Sequence, residues 1–190
     1  LDDPNTALKF FNNNLTDQGV LFLMVYGNQQ SESIKGLKDV FKKFELSQNE
    51  ESVESIKKII GKLHKHHPSK SFLSHFNDYS YDAGVVDIFL HPKEKFYSLS
   101  NLVGDLKENN FIIKNFVDGK VAAVTKYMFD NPDLFKKFKE LSLEDQLDIA
   151  QMLNWNDRKI EVICTKSNNK QYSKLYTKID LDKVYTYSFQ

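Results

Sequence analysis

Val20-Leu21-Phe22-Leu23-Met24-Val25-Tyr26, framed by Gly19 and Gly27, decides the reading of the fold. Every position before the tyrosine is apolar, so neither the alternation of a half-wet strand nor the 3.6-residue period of a surface helix is visible. A short unbroken run between glycines reads as a strand buried on both faces, as in a helix-covered parallel sheet. On its N-terminal side, Thr16-Asp17-Gln18-Gly19 reads as a turn, preceded by Leu8, Phe11 and Leu15 at helical spacing. Asp3 suits the cap of that helix because a carboxylate accepts from unpaired N–H groups, and Pro4 suits its first position, where no donor is needed.

On the C-terminal side the chain turns charged and amphipathic. Ile34, Leu37, Phe41 and Phe44 form one helical stripe; Val53, Ile56, Ile60 and Leu63 form another, with Ser47-Gln48-Asn49-Glu50 matching a capping box before it. His64 to Lys70 ends the pair, and Phe72, Leu73 and Phe76 follow, so residues 28–81 read as a helical insertion. Asp82 to Tyr97 mixes an acid, a histidine and aromatics without helical period. Ser100 can cap a helix carrying Leu102, Val103 and Leu106; Asn109-Asn110 breaks it, and Phe111 to Val117 reads as a strand. Asn131-Pro132 and Ser142 start two further helices, Ile160 to Cys164 is a short strand, and Val184 to Phe189 reads as one more.

At 190 residues the chain is long enough for one domain with a real core. Lys plus Arg equals Asp plus Glu at 26 each, leaving no basic surplus for phosphate contacts, so nucleic-acid binding is disfavoured. The single cysteine, Cys164, allows no internal disulfide and no cysteine zinc cage, and reads as a small buried hydrophobe. No apolar run approaches the ~18 residues that cross a bilayer, and no signal-peptide pattern opens the chain, so no membrane partner and a cytoplasmic location are expected. The seven glycines include no G-x-G pair, so a complete phosphate loop or dinucleotide fingerprint is absent.

Four phrases in order carry a family likeness: Leu1-Asp2-Asp3-Pro4 with Ala7-Leu8; Leu15 with Gly19 and the apolar strand ending in Tyr26; Asp87-Ile88-Phe89-Leu90-His91-Pro92 with Phe96-Tyr97-Ser98-Leu99; and Leu141-Ser142 with Asp145-Gln146. Over roughly residues 1–166 the chain resembles the second half of a class I S-adenosylmethionine (SAM)-dependent methyltransferase from an uncharacterised bacterial branch. The likeness implies an α/β fold, the C-terminal half of a Rossmann-like sheet. Val20–Tyr26 stands as strand five, Phe111–Val117 as strand six and Ile160–Cys164 as strand seven, antiparallel between them. It divides the chain into helix and central strand (1–27), insertion (28–81), remaining core with a helical pair (82–166) and C-terminal extension (167–190). The glycine-rich turn and the ribose-holding acid belong to the part of the family that precedes this stretch, so no cofactor-binding residue is expected here. Strand five lacks a neighbour on one side, which implies self-association through that edge or cover by the insertion helices.

Methyl transfer is an in-line displacement, so the protein aligns the acceptor and, where needed, supplies a base. Tyr26, at the carboxyl end of the best strand, is a candidate for lining the acceptor pocket, or else packs beneath the insertion. Asp87, His91 and Tyr97 are the other candidates: His91 as base, Asp87 to orient it or to contact the acceptor, and Tyr97 to contact the acceptor. Alternatively His91, before Pro92, forms a turn with a satisfied ring. His64, Lys65, His66 and His67, with His75 nearby, have no acid or cysteine at ligand spacing, so they read as a solvated helix end and no metal is expected.

Two functions follow. One is the C-terminal portion of a SAM-dependent methyltransferase, transferring a methyl group to an unknown acceptor when intact and inactive as this stretch. The other is a non-catalytic α/β module that docks a partner through Phe41, Phe44, Ile56 and Ile60 on its insertion helices.

Overall fold

A computed structural model describes residues 3–74, 78–117, 131–153 and 159–169. In chain order the elements are α1 (Pro4–Asn14), β1 (Val20–Gly27), α2 (Asn28–Lys43), α3 (Glu50–Lys62) and α4 (Pro68–Leu73). A 3-10 turn (Asp78–Ser80) leads to α5 (Asp82–Val85), which continues as a π-helical segment (Val86–Leu90). Then come β2 (Phe96–Tyr97), α6 (Leu99–Glu108), β3 (Phe111–Phe116), α7 (Pro132–Glu140), α8 (Leu143–Leu153) and β4 (Lys159–Lys166). They form two compact units, one of Leu1–Gly27 with Phe96–Gln190 and one of Asn28–Lys95. The expected strand at Val184 to Phe189, His75, Phe76 and nearly all of the C-terminal extension lie outside the described residues.

In the first unit the sheet runs β2-β1-β4-β3, with β4 antiparallel to both β1 and β3 and β2 parallel to β1. The order expected for strands five, seven and six is therefore present. The β1–β4 ladder runs from Val20 opposite Thr165 to Tyr26 opposite Lys159. Its alternation sends Leu21, Leu23 and Val25, with Ile160, Val162 and Cys164, into one core with Leu8 of α1, Leu102 and Leu106 of α6, Phe138 of α7 and Leu147 of α8. Lys114 is the extra residue of a β3 bulge between Ile113 and Asn115, and desolvation lowers the pKa of its ammonium.

Two-sided burial of β1 is not observed. Val20, Phe22 and Met24 are 51%, 56% and 39% exposed, because every helix that contributes to the core does so on the opposite face. An unbroken apolar run identified the strand but could not reveal that one of its faces is open. The expected bare edge also differs: Tyr26 and Gly27 pair with Phe96 and Tyr97 of β2, whereas Val20–Val25 have no strand on that side among the described residues.

Side chains set the helix ends. Asp3 accepts from the N–H groups of Asn5 and Thr6 and from the Thr6 hydroxyl, and these bonds, the Thr6 hydroxyl foremost, hold its carboxyl below the usual value. Asn131 and Ser142 cap α7 and α8 as expected. Two caps fall two residues from their expected places. Asn49, not Ser47, caps α3 by accepting from Ser52 N–H at 2.9 Å, and Ser47 instead accepts from the Asn49 side chain. Ser98, not Ser100, caps α6 because the extended backbone of β2 ends there.

In the second unit Ile34, Leu37 and Phe41 of α2 meet Val53, Ile56 and Ile60 of α3, and Phe41 packs edge-on to Phe89 with centroids 5.3 Å apart. Phe44 leaves the expected stripe and is 64% exposed. The cause is a Schellman turn: Glu45 is left-handed (φ 54°), Leu46 N–H donates to the Phe41 carbonyl, and Leu46 packs on the core instead. The stretch after Asp82, expected to lack helical period, is helical to Leu90. Its buried residues Val85, Ile88 and Phe89 keep helical spacing, which the polar neighbours masked.

The junction of β2 and α6 is pinned from α8. Gln151, buried, accepts from Leu99 N–H at 2.8 Å and donates to the Tyr97 carbonyl at 3.2 Å. Gln151→Leu leaves both backbone groups buried and unpaired and is expected to cost about 2–4 kcal/mol in urea unfolding; a loss under 0.5 kcal/mol would refute the clamp. Desolvation in the sheet core pushes the Cys164 thiol up to about 12. Above pH 9 the unfolded chain loses this proton first, so stability should fall with rising pH by at most about 1.4 kcal/mol per unit from this group. Native protein at pH 8 should resist a thiol reagent that labels it in urea; equal labelling in both would contradict the burial.

Candidate functional site

Parallel pairing of β1 with β2 brings the aromatic residues at the carboxyl end of the sheet together. Tyr26 lies opposite Phe96 in register, their rings 6.5 Å apart and tilted by 43°. Tyr26 is half-buried at the strand end. Tyr97, opposite Gly27, is 3% exposed, and its hydroxyl donates to the Asp105 carboxylate at 3.0 Å. Thus Tyr97 joins β2 to α6 from within the core, while Tyr26 beside it is only partly covered.

Asp87 and His91 lie in the second unit. Asp87 is exposed on the π-helical segment, and His91 is exposed just beyond it. The His91 Nδ1 accepts from Lys93 N–H at 3.3 Å, the turn with a satisfied ring that the sequence allowed. In its neutral form this ring then carries its proton on Nε2. The geometry therefore brings Tyr26 and Tyr97 onto adjacent strands and places Asp87 and His91 four residues apart on a separate unit.

The histidine cluster has a local role. The rings of His64 and His66 stand 5.3 Å apart, and His67 caps α4 by accepting from Ser69 N–H through Nδ1. Among the described residues, no three His, Cys, Asp or Glu side chains gather closely enough to hold a metal ion. Cys164, with its pKa raised by burial, is not available as a thiolate at neutral pH.

A nucleotide cofactor needs loop backbone that a ligand can approach closely, and these glycines do not provide it. Gly36, Gly61 and Gly104 lie inside helices, and a Cβ at the Gly19 turn would meet the Leu15 side chain at 2.5 Å, so that turn is filled by its own chain. These four glycines thus form no SAM cradle.

Sequence reasoning missed Gln151 and Asp105, which hold the β2–α6 junction. For Gln151 a signal existed: it lies four residues after Leu147 and next to Ala150, a glutamine on the buried stripe of α8. For Asp105 none did, since an acid on an amphipathic helix ordinarily faces water.

No family model matches the chain. In structure it is similar to PKMT2 from Rickettsia typhi, with a TM-score of 0.56 and 11% identity over 86% of this chain and 32% of that one. It is similar also to PKMT2 in complex with AdoHcy, with a TM-score of 0.56 and 13% identity over 86% of this chain and 33% of that one. The chain spans about a third of the length of these structures. It has the fold of part of a methyltransferase.

Proposed function

We propose that this chain is the C-terminal portion of a SAM-dependent methyltransferase resembling the class I family, transferring a methyl group to an acceptor when a cofactor-binding portion is present and inactive by itself. The observation that carries the reading is β4 lying antiparallel between β1 and β3, beside an apolar β1 that over Val20–Val25 has no strand on its other edge among the described residues. The AdoHcy complex of PKMT2 supports the cofactor class, since AdoHcy is what SAM becomes after losing its methyl group.

Within this reading, Tyr26 lines the acceptor side at the carboxyl end of β1, where open α/β sheets gather their ligands. Tyr97 shapes that end from below through Asp105. His91 serves as base only by releasing its 3.3 Å bond from Lys93 N–H, with Asp87 on the preceding turn to orient it. The docking-module reading is less favoured because Phe41, Ile56 and Ile60, three of its four contact residues, are spent in the core of their own unit.

Isothermal titration of this polypeptide with SAM should show no binding, since these glycines form no cradle; micromolar affinity would overturn the assignment of the cofactor to another portion. The open edge and the exposed Val20, Phe22 and Met24 also make the isolated chain a candidate for pairing with a second copy. Sedimentation should show a dimer that Phe22→Lys shifts toward monomer by about tenfold or more in dissociation constant. A wild-type chain that stays monomeric at high micromolar concentration, with β1 amides exchanging freely, would exclude self-pairing.

A further inference from the structure

The second unit holds a pocket that the methyltransferase reading does not use. It lies where α3, α4 and the 3-10 turn meet, has a volume of about 320 Å³, and is walled by Ile60, Leu73 and Tyr79. Lys57 and Lys70 also line it, and no carboxylate does among the described residues. An apolar cavity of this size with two cations on its wall selects by both shape and charge.

Both ammonium groups are positioned by the fold. Lys70 donates to the Leu63 carbonyl at 2.9 Å and to that of Gly61 at 3.5 Å, which fixes its head against the last turn of α3. Lys57 pairs with Asp82, whose side chain is 70% exposed. So exposed a pair is weak, and an incoming anion can take the place of Asp82 at small cost. Gly61 lies on the pocket wall, and a Cβ built there meets nothing within 4 Å.

We propose that this pocket binds a small organic carboxylate with an apolar body, its carboxylate at Lys57 and Lys70 and its body against Ile60, Leu73 and Tyr79. The site is independent of methyl transfer and needs neither the cofactor nor the other unit.

Octanoate and its uncharged counterpart octanamide are the probes, followed by amide chemical shifts of the 190-residue chain. Octanoate should shift Ile60, Gly61, Leu73 and Tyr79 saturably and bind about tenfold more tightly than octanamide, the difference a charge-assisted contact supplies. Lys57→Gln should bring the two affinities within about threefold; it is preferred to Lys70→Gln because Lys70 also holds the end of α3. Absence of saturable shifts at millimolar octanoate, equal affinity for the two probes, or a Lys57→Gln variant that keeps the tenfold preference would each overturn the proposal.

Discussion

The antiparallel ladder between β1 and β4 is the constraint on which the first unit depends. It sets seven consecutive residues of β1 against Lys159 to Thr165, so that one alternation decides which side chains of both strands enter the core. A slip of one residue would turn Leu21, Leu23 and Val25 outward and Val20, Phe22 and Met24 inward. The helices hold the register because Leu102, Leu106, Phe138 and Leu147 pack against one of these two sets. The ladder also directs the carboxyl end of β1 toward β2, which is why Tyr26 and Tyr97 come to lie on neighbouring strands.

Polar groups in this unit serve the junctions between elements. Gln151 satisfies a donor and an acceptor where β2 turns into α6, and the Tyr97 hydroxyl reaches Asp105, further along α6. Asn109 donates to the Asn5 side chain and to the Asp105 carbonyl, tying the start of α1 to the end of α6. The second unit has a core made chiefly by α2, α3 and the helix that ends at Leu90. Lys57 and Lys70 hold its periphery together, one pairing with Asp82 and the other donating to the Leu63 carbonyl.

Legibility followed the range of the interaction. Caps made within three residues, at Asp3, Asn131 and Ser142, were readable because the acceptor and its N–H partners are neighbours in the chain. The Ser47 and Ser98 regions were misread by two residues because several short polar side chains there compete for the same helix start. The helix over Asp82–Leu90 was obscured by acids and a glycine, although Val85, Ile88 and Phe89 kept the spacing. The place of Tyr26 at the carboxyl end of β1 was legible from the apolar run that precedes it. The lodging of Tyr97 in the core was not, since the partner that holds its carbonyl is Gln151 on α8.

By itself the sequence determined the presence of an apolar strand, the amphipathic stripes of α2 and α3, and the lack of a G-x-G turn in these 190 residues. These depend on residue type and spacing along one segment. Only the tertiary structure decided that one face of β1 stays open, that Phe44 points to water while Leu46 packs, and that Lys57 and Lys70 meet at one pocket. Each of these depends on which distant element arrives at a given face, and a pattern within one segment carries no information about what lies across from it.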